Sequence, residues 1–349
     1  MYILRGKHCV RPFLTFISRV KYPAVFCDAY ITNLALNACP LNTPCTVQAL
    51  IFLSPERSVE LKFTSMMESK KSWLQAYIPQ KPSDYVAFLF MIVMLWVIAL
   101  FELFVVLPLY HEPFSSWWCL HVFCGFFLWL NVFANFFFLI TTDTTGKNLG
   151  MPSVLKPGWT YCPFCQLNAP PRAHHCQVCN ECVLKRDHHC IFAGKCVGFR
   201  NYRYYMFLAL YLWLGAFYAN AFHHEYVTSE VGSFSVATVL TMVTPILMWM
   251  LGYTTLYGFF ISFMTGLSIF AFILFSGMLF FQIRIISRGQ TSYERKKKKK
   301  EYDLGWKQNF LDVFGEKWYL AWIWPTVSSP LPGDGTNYKK TYLQESKDL

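Results

Sequence analysis

The stretch Tyr85–Tyr110, YVAFLFMIVMLWVIALFELFVVLPLY, narrows what this chain can become more than any other feature. It is apolar on every side of a helix, and at about 1.5 Å per residue it outruns the roughly 30 Å hydrocarbon core of a bilayer. A membrane is the economical place to bury such an element. Glu102 is its single charge. An intramembrane carboxylate is by default a candidate functional group, but one so near the end of a span is better explained by reaching toward the interface or bonding a neighbouring helix. A second apolar run follows over Trp117–Ile140, after a turn at His111–Ser116, with Tyr110, Trp117 and Trp118 placed as an aromatic belt. Composition agrees: 54% of residues are apolar and only 15% charged, against roughly 25% charged in soluble domains.

Residues 204–283 contain no Lys or Arg, and neither do residues 82–146. The first of these stretches predicts spans at 204–222 and 259–283. Between them, residues 236–256 are apolar but interrupted by Thr241, Thr244, Pro245 and Gly252, which reads as a re-entrant or interfacial helix or as part of a long final helix. Lys70, Lys71 and Lys81, the basic segment 147–203, and Arg284, Arg288 and Lys296–Lys300 are the positive regions beside the spans. Positive loops stay in the cytosol, so these regions share that side and the 111–116 turn lies opposite. Four spans satisfy this; five or six follow if the leader or the middle segment crosses. The expected layout is a weakly ordered cytosolic leader over residues 1–82, two spans within 83–141, a cysteine-rich segment over 142–203, two spans within 204–283, and a cytosolic tail over 284–349. Met1–Cys9 lacks the sustained apolar run of a cleavable signal. The net charge of +11 sits mostly beside the apolar runs, which points to anionic lipid headgroups and away from nucleic acid.

Seven of the thirteen cysteines fall between Cys162 and Cys196, interleaved with four histidines. Thiolate and imidazole in this density are zinc ligands, and they imply a reducing compartment. The two-residue gaps in Cys162–Cys165, Cys176–Cys179 and Cys179–Cys182 let a tight turn offer two sulfurs to one ion. Two zinc ions need eight ligands. If six cysteines and two histidines supply them, one cysteine and two histidines are left over. A segment this poor in apolar residues cannot build its own core, so metal contributes much of its folding energy. RING-type spacing fails, because Cys190 and Cys196 do not form a final two-residue pair.

Asp187-His188-His189-Cys190 holds the residue types of a nucleophilic centre. A thiol needs a base or a cation to become a nucleophile, an adjacent imidazole can take its proton, and a carboxylate can fix the imidazole's tautomer. Neighbours in sequence are not thereby partners in space. The spacing leaves two readings open: a purely structural zinc module and a catalytic one.

The segment CPFCQLNAPPRAHHCQVCNECVLKRDHHCIFAGKCVGFRNYRYY, Cys162–Tyr205, resembles the DHHC protein S-acyltransferases, the palmitoyltransferases. With the flanking spans and tail the resemblance extends over roughly residues 84–320. It implies an all-α polytopic membrane protein of about four helices, with a small cytosolic zinc-binding domain between the second and third. It further implies two structural zinc sites, Cys162, Cys165, His175 and Cys182 in one and Cys176, Cys179, His189 and Cys196 in the other. Cys190 is then the acyl-accepting nucleophile, His188 its base and Asp187 the orienting carboxylate, while His174 has no metal role.

Other family elements occur in altered form. Thr291-Ser292-Tyr293-Glu294 stands where the family has Thr-Thr-x-Glu, and the resemblance implies that Thr291, Ser292 and Glu294 brace the aspartate and the zinc domain. Asp143-Thr144-Thr145-Gly146 replaces Asp-Pro-Gly. Asn309 matches an asparagine that docks the tail against the spans. Phe192 replaces the usual Trp after the cysteine, and Lys195 replaces the usual Asn.

The activity implied is transfer of a long-chain fatty acyl group, palmitoyl above all, from acyl-CoA through Cys190 to membrane-proximal cysteines of protein substrates. Arg172, Lys185, Arg186 and Lys195 are the expected contacts for CoA phosphates, and the Golgi or the endoplasmic reticulum is the expected address. The rival readings are an inactive zinc-containing membrane adaptor of the same fold, and a transporter. The second lacks the paired intramembrane polar residues that transport needs.

Overall fold

A proline at the start of an apolar run suits the first helical position, where its fixed φ fits and its missing N–H would have had no partner. Pro82 does this for α1 (Pro82–Phe101). The helix continues through a π-helical turn, Glu102–Val106, into α2 (Leu107–Tyr110). Pro108 gives the physical reason: inside a helix its ring crowds the carbonyl four residues back, and a widened turn relieves that. The next crossing is α3 (Ser116–Thr141), whose cap Ser115 accepts the Trp118 N–H at 3.2 Å. The third and fourth crossings lie in α4 (Tyr202–Val231) and α7 (Leu256–Ile286). These are the four helices, among the described residues, long and apolar enough to span a membrane. Only 11% of the apolar window of the first span and 17% of that of the last are buried. Side chains such as Val86, Phe90 and Phe270 therefore present to lipid the surface that water would penalise.

The structure is a computed structural model describing residues 77–146, 149–231 and 235–341. The weakly ordered leader, with any span within it, lies outside the described residues as far as residue 76. The α4 helix extends beyond the expected 204–222 to Val231. The apolar segment 236–256 becomes two short helices, α5 (Val236–Val243) and α6 (Pro245–Met250), broken at Thr244 ahead of the proline. Helices of 8 and 6 residues rise about 12 and 9 Å, and neither crosses. The α5 helix lies against α7 at Gly266, where an added Cβ would stand 2.5 Å from the Met242 carbonyl oxygen.

The all-α expectation needs one correction. Residues 160–197 form three antiparallel hairpins: β1 (Thr160–Cys162) with β2 (Leu167–Ala169), β3 (His174–Cys176) with β4 (Glu181–Val183), and β5 (His188–Cys190) with β6 (Lys195–Val197). Strands of three residues show no readable alternation, and such hairpins are not stable alone. After α7 the tail forms α8 (Ser292–Lys296), α9 (Trp306–Phe314) and α10 (Trp318–Ala321). The main apolar cluster joins Val132, Phe136 and Leu139 of α3 to Tyr204, Leu208 and Tyr211 of α4, and takes in Val313 and Ala321 of the tail. Buried Asn309 ties α9 to the end of α7 by donating to the Ser287 carbonyl at 3.0 Å. At the opposite end of the bundle the rings of His111 and His121 stack at 4.8 Å, and His121 bonds the Tyr218 hydroxyl.

Polar contacts fix the hairpins to the tail. Arg172 donates from Nε and Nη2 to both oxygens of Glu294 at 2.7 Å, and its guanidinium lies 4.3 Å from the Tyr302 ring and 5.0 Å from the Tyr338 ring. Glu294 also completes the capping box of α8 with Thr291. With both charged groups buried, removing one partner strands the other, which costs about 3 kcal/mol or more. Glu294→Leu is therefore expected to lower unfolding stability by about that amount, while the double variant Arg172→Leu/Glu294→Leu recovers part of the loss. Denaturant unfolding of the purified protein in detergent checks both.

Candidate active site

The three hairpins are one unit written three times. Residues 160–173, 174–187 and 188–201 align as TYCPFCQLNAPPRA, HHCQVCNECVLKRD and HHCIFAGKCVGFRN. Each hairpin turns through a residue of positive φ just before its second strand: Gln166, Asn180 and Gly194. Each of the first two carries a Cys-x-x-Cys pair at the turn, and the second and third carry a histidine and a cysteine opposite one another across the strands, His175↔Cys182 and His189↔Cys196.

Successive units therefore share ligands. The Cys162–Cys165 pair of the first hairpin meets His175 and Cys182 of the second, and Cys176–Cys179 of the second meets His189 and Cys196 of the third. Within each group of four the ligand atoms all lie within 4.8 Å of one another. Two compact sets of three sulfurs and one imidazole nitrogen have the donor chemistry of tetrahedral zinc sites. The third hairpin has Cys190 at the position of Cys162 and Cys176, but Ala193 at the position of the second cysteine. A fourth unit would place ligands at 203 and 210, where the chain has become α4 with Arg203 and Leu210. Cys190 is the first sulfur of a third site that is never built, and it belongs to neither cluster.

Cys190 sits at the end of β5, partly buried, against the apolar cluster between the spans. Phe88, Met91 and Leu95 of α1 and Met278 of α7 join that same cluster. His188 stands two residues before it, its ring edge-on to Tyr205 at 4.9 Å. His188 Nδ1 is 2.7 Å from Asp187 Oδ2. Asp187 is itself 3% exposed and accepts from the Ser292 N–H at 2.6 Å and the Ser292 hydroxyl at 2.8 Å, with longer contacts to Tyr202 and Gln282 at 3.4 Å. Burial works against ionisation of Asp187, but the bonds from His188 and Ser292 outweigh it and hold the carboxyl below its usual range. Burial likewise works against protonation of His188, yet Asp187 and Cys190 raise the imidazole to about 9. The arrangement keeps a proton on His188 beside a sulfur that gains from a nearby cation.

The four basic residues expected at CoA phosphates are not gathered on one open face. Arg172 is spent on Glu294 and the Gly289 carbonyl, and Lys185 is buried with Nζ 3.4 Å from the Asp312 carbonyl, its pKa pushed down to about 7 by burial. Neither is presented to solvent. Arg186 Nε lies 3.5 Å from Cys196 Sγ, and Lys195 Nζ is 6.0 Å from the Tyr77 ring. His174 packs on Tyr293 with ring centroids 3.9 Å apart. Reading the sequence missed Asp84, whose Oδ2 lies 2.8 Å from His189 Nε2. The available signal was an acidic residue in the first turn of a span otherwise free of charge until Glu102.

Comparison with known proteins places this geometry. Residues 156–299 match the family described as DHHC palmitoyltransferase. The chain is 36% identical over 237 residues to the protein named "Probable palmitoyltransferase ZDHHC24" of Danio rerio, covering 67% of this chain and 80% of the relative. The protein of that name from Homo sapiens is 32% identical over 220 residues, 61% of this chain and 75% of its own length. "Probable protein S-acyltransferase 12" of Arabidopsis thaliana is 27% identical over 251 residues, 62% and 77% of the two chains. The family match takes in the three hairpins and the last two spans, the Danio rerio relative is covered over most of its length, and the chain belongs to the DHHC palmitoyltransferase family as a protein S-acyltransferase.

Proposed function

We propose that acyl transfer in this protein runs through Cys190, with His188 carrying the proton and Asp187 orienting the imidazole. One observation supports this above the others: the Cys190 sulfur lies outside both metal clusters, beside a histidine bonded to a buried carboxylate, and against the apolar cluster between the spans. In the first step the Cys190 thiolate attacks the thioester carbonyl of a fatty acyl-CoA. A carbon–sulfur bond forms to Cys190, the bond to CoA sulfur breaks, and the departing thiolate takes the proton from His188 Nε2, the nitrogen that Asp187 leaves free. In the second step the thiol of a substrate cysteine gives its proton to His188 and attacks the acyl-enzyme, and Cys190 leaves as the thiolate. The acyl chain lies among the spans, where each buried methylene contributes about 0.8 kcal/mol. That favours long chains such as palmitoyl.

The two Cys3His sets hold two structural zinc ions, which when bound supply folding energy to hairpins too short to persist alone. Ser292, Thr291 and Glu294 hold the aspartate and the hairpins against the membrane helices, and Asn309 holds the tail there. Charge bias supports a cytosolic side for the leader, the cysteine-rich segment and the tail, with the run Arg295–Lys300 facing anionic headgroups. Substrates are then proteins whose cysteines sit at the cytosolic membrane surface. The family resemblance is what supports a Golgi or endoplasmic reticulum address. An inactive adaptor would retain the metal clusters but has no use for the Asp187–His188 pair.

Incubation with a labelled palmitoyl-CoA analogue tests the assignment. Wild type is expected to acquire a hydroxylamine-labile label, and Cys190→Ser to lose it while keeping two zinc ions per chain; loss of metal from Cys190→Ser would refute the division of ligands. Cys176→Ala is expected to lose metal and fold together. Asp187→Asn should slow self-acylation about 100-fold, the scale of a lost acid–base contribution, with zinc content unchanged when counted on the same samples.

A further inference from the structure

The mechanism leaves one buried carboxylate of the first span unused. Asp84 lies in the first turn of α1 and is only 2% exposed. Burying a carboxylate costs several kcal/mol unless partners match its charge, so its contacts must offset that. The Ser83 hydroxyl donates to Oδ1 at 3.1 Å, and Oδ2 lies 2.8 Å from His189 Nε2. The other ring nitrogen of His189, Nδ1, faces three sulfurs: Cys179 at 3.3 Å, and Cys176 and Cys196 at 3.7 Å. One imidazole thus has a metal cluster on one side and a carboxylate on the other. A histidine that ligates metal through one nitrogen commonly gives its second N–H to such an acceptor, which fixes the ring and its tautomer and makes it a better ligand.

The backbone ahead of the span follows the same surface. Gly194, at φ +58° in the turn between β5 and β6, lies so close to Pro79 that an added Cβ would sit 2.5 Å from its Cγ. Residues 77–84 therefore touch the third hairpin at its turn and at its histidine. The first metal cluster is built differently: His175 presents Nδ1 to Cys165 at 3.2 Å, and its ring stacks on Phe164 at 4.8 Å.

We infer that Asp84 is a positioning residue for the second cluster, accepting the Nε2–H of His189 and so holding that imidazole for metal while fastening the Cys190 hairpin to the first span. The inference rests on the reading of the two clusters as zinc sites. By this account the Cys176, Cys179, His189 and Cys196 site is completed by a membrane helix, and metal on Nδ1 in turn strengthens the N–H that the span accepts.

Full-length wild type, Asp84→Ala and Asp84→Asn, purified in detergent, are to be compared by zinc count and by competition with a chelator of known affinity. Wild type should hold two zinc ions. Asp84→Ala should bind one of them 10- to 100-fold more weakly, the scale seen when the outer partner of a metal-bound histidine is lost, and leave the other unchanged. Asp84→Asn keeps an acceptor oxygen and a near-identical shape, so it should lose less, and it serves by the same criteria if the alanine variant does not stay monodisperse. Cobalt substitution should show the altered absorption confined to one of two sites. Unchanged affinity at both sites, or an equal loss at both, would overturn the inference. A wild-type protein without zinc would refute the metal reading itself, and the wild-type count reveals that independently of the variants.

Discussion

One buried carboxylate holds the Cys190 hairpin to the long helices. Asp187 sits at the head of β5 and is contacted by Ser292 beyond the last span, Tyr202 at the start of α4, Gln282 near the end of α7 and His188 next in chain. A charge so enclosed is tolerable only because donors surround it, and those donors come from separate elements. The same logic recurs in Arg172 with Glu294 and in Asp84 with His189. Each places a hairpin donor opposite a buried carboxylate on a helix or its flank. Apolar contact is non-directional, whereas buried hydrogen bonds tie particular atoms together. In this way a module with little core of its own receives a fixed seat on the bundle.

The repeat explains why one sulfur stands apart amid so many clustered ones. Each of the first two hairpins offers its Cys-x-x-Cys pair to the next hairpin's histidine and cysteine. The series ends when the chain enters α4, so the last pair has no receiving unit, and it has been reduced to Cys190 and Ala193. A single thiol at the end of such a series inherits a turn geometry made to present sulfur. It also follows an Asp-His pair, where the preceding junction between units reads Ala173-His174. Replacing that alanine by Asp187 is what turns a histidine packed on Tyr293 into one bonded to a carboxylate.

The spans were legible because bilayer thickness is a fixed length against which an apolar run can be measured. The metal chemistry was legible because few residue types bind zinc and they occur here at close spacing. The hairpins were not, since strands of three residues carry too few positions to alternate. The segment 236–256 stayed open between a separate helix and an extension of the last span. The break at Thr244 and the close approach of Met242 to Gly266 decide for two short helices. Arg172 and Lys185, expected from the sequence at CoA phosphates, prove buried, because their partners Glu294 and Asp312 come from the far end of the chain.

What the sequence determined by itself is local or compositional: four apolar lengths, the flanks where positive charge collects, the supply of thiolate and imidazole, and the Asp-His-His-Cys order. Each follows from a property that a short window carries whole. What only the tertiary structure decided is which groups share a space. Asp84 meets His189 across a separation of 105 residues, and Arg172 meets Glu294 across 122. No short-range period encodes such pairings, because they arise where helix ends, hairpins and tail converge on one buried polar layer.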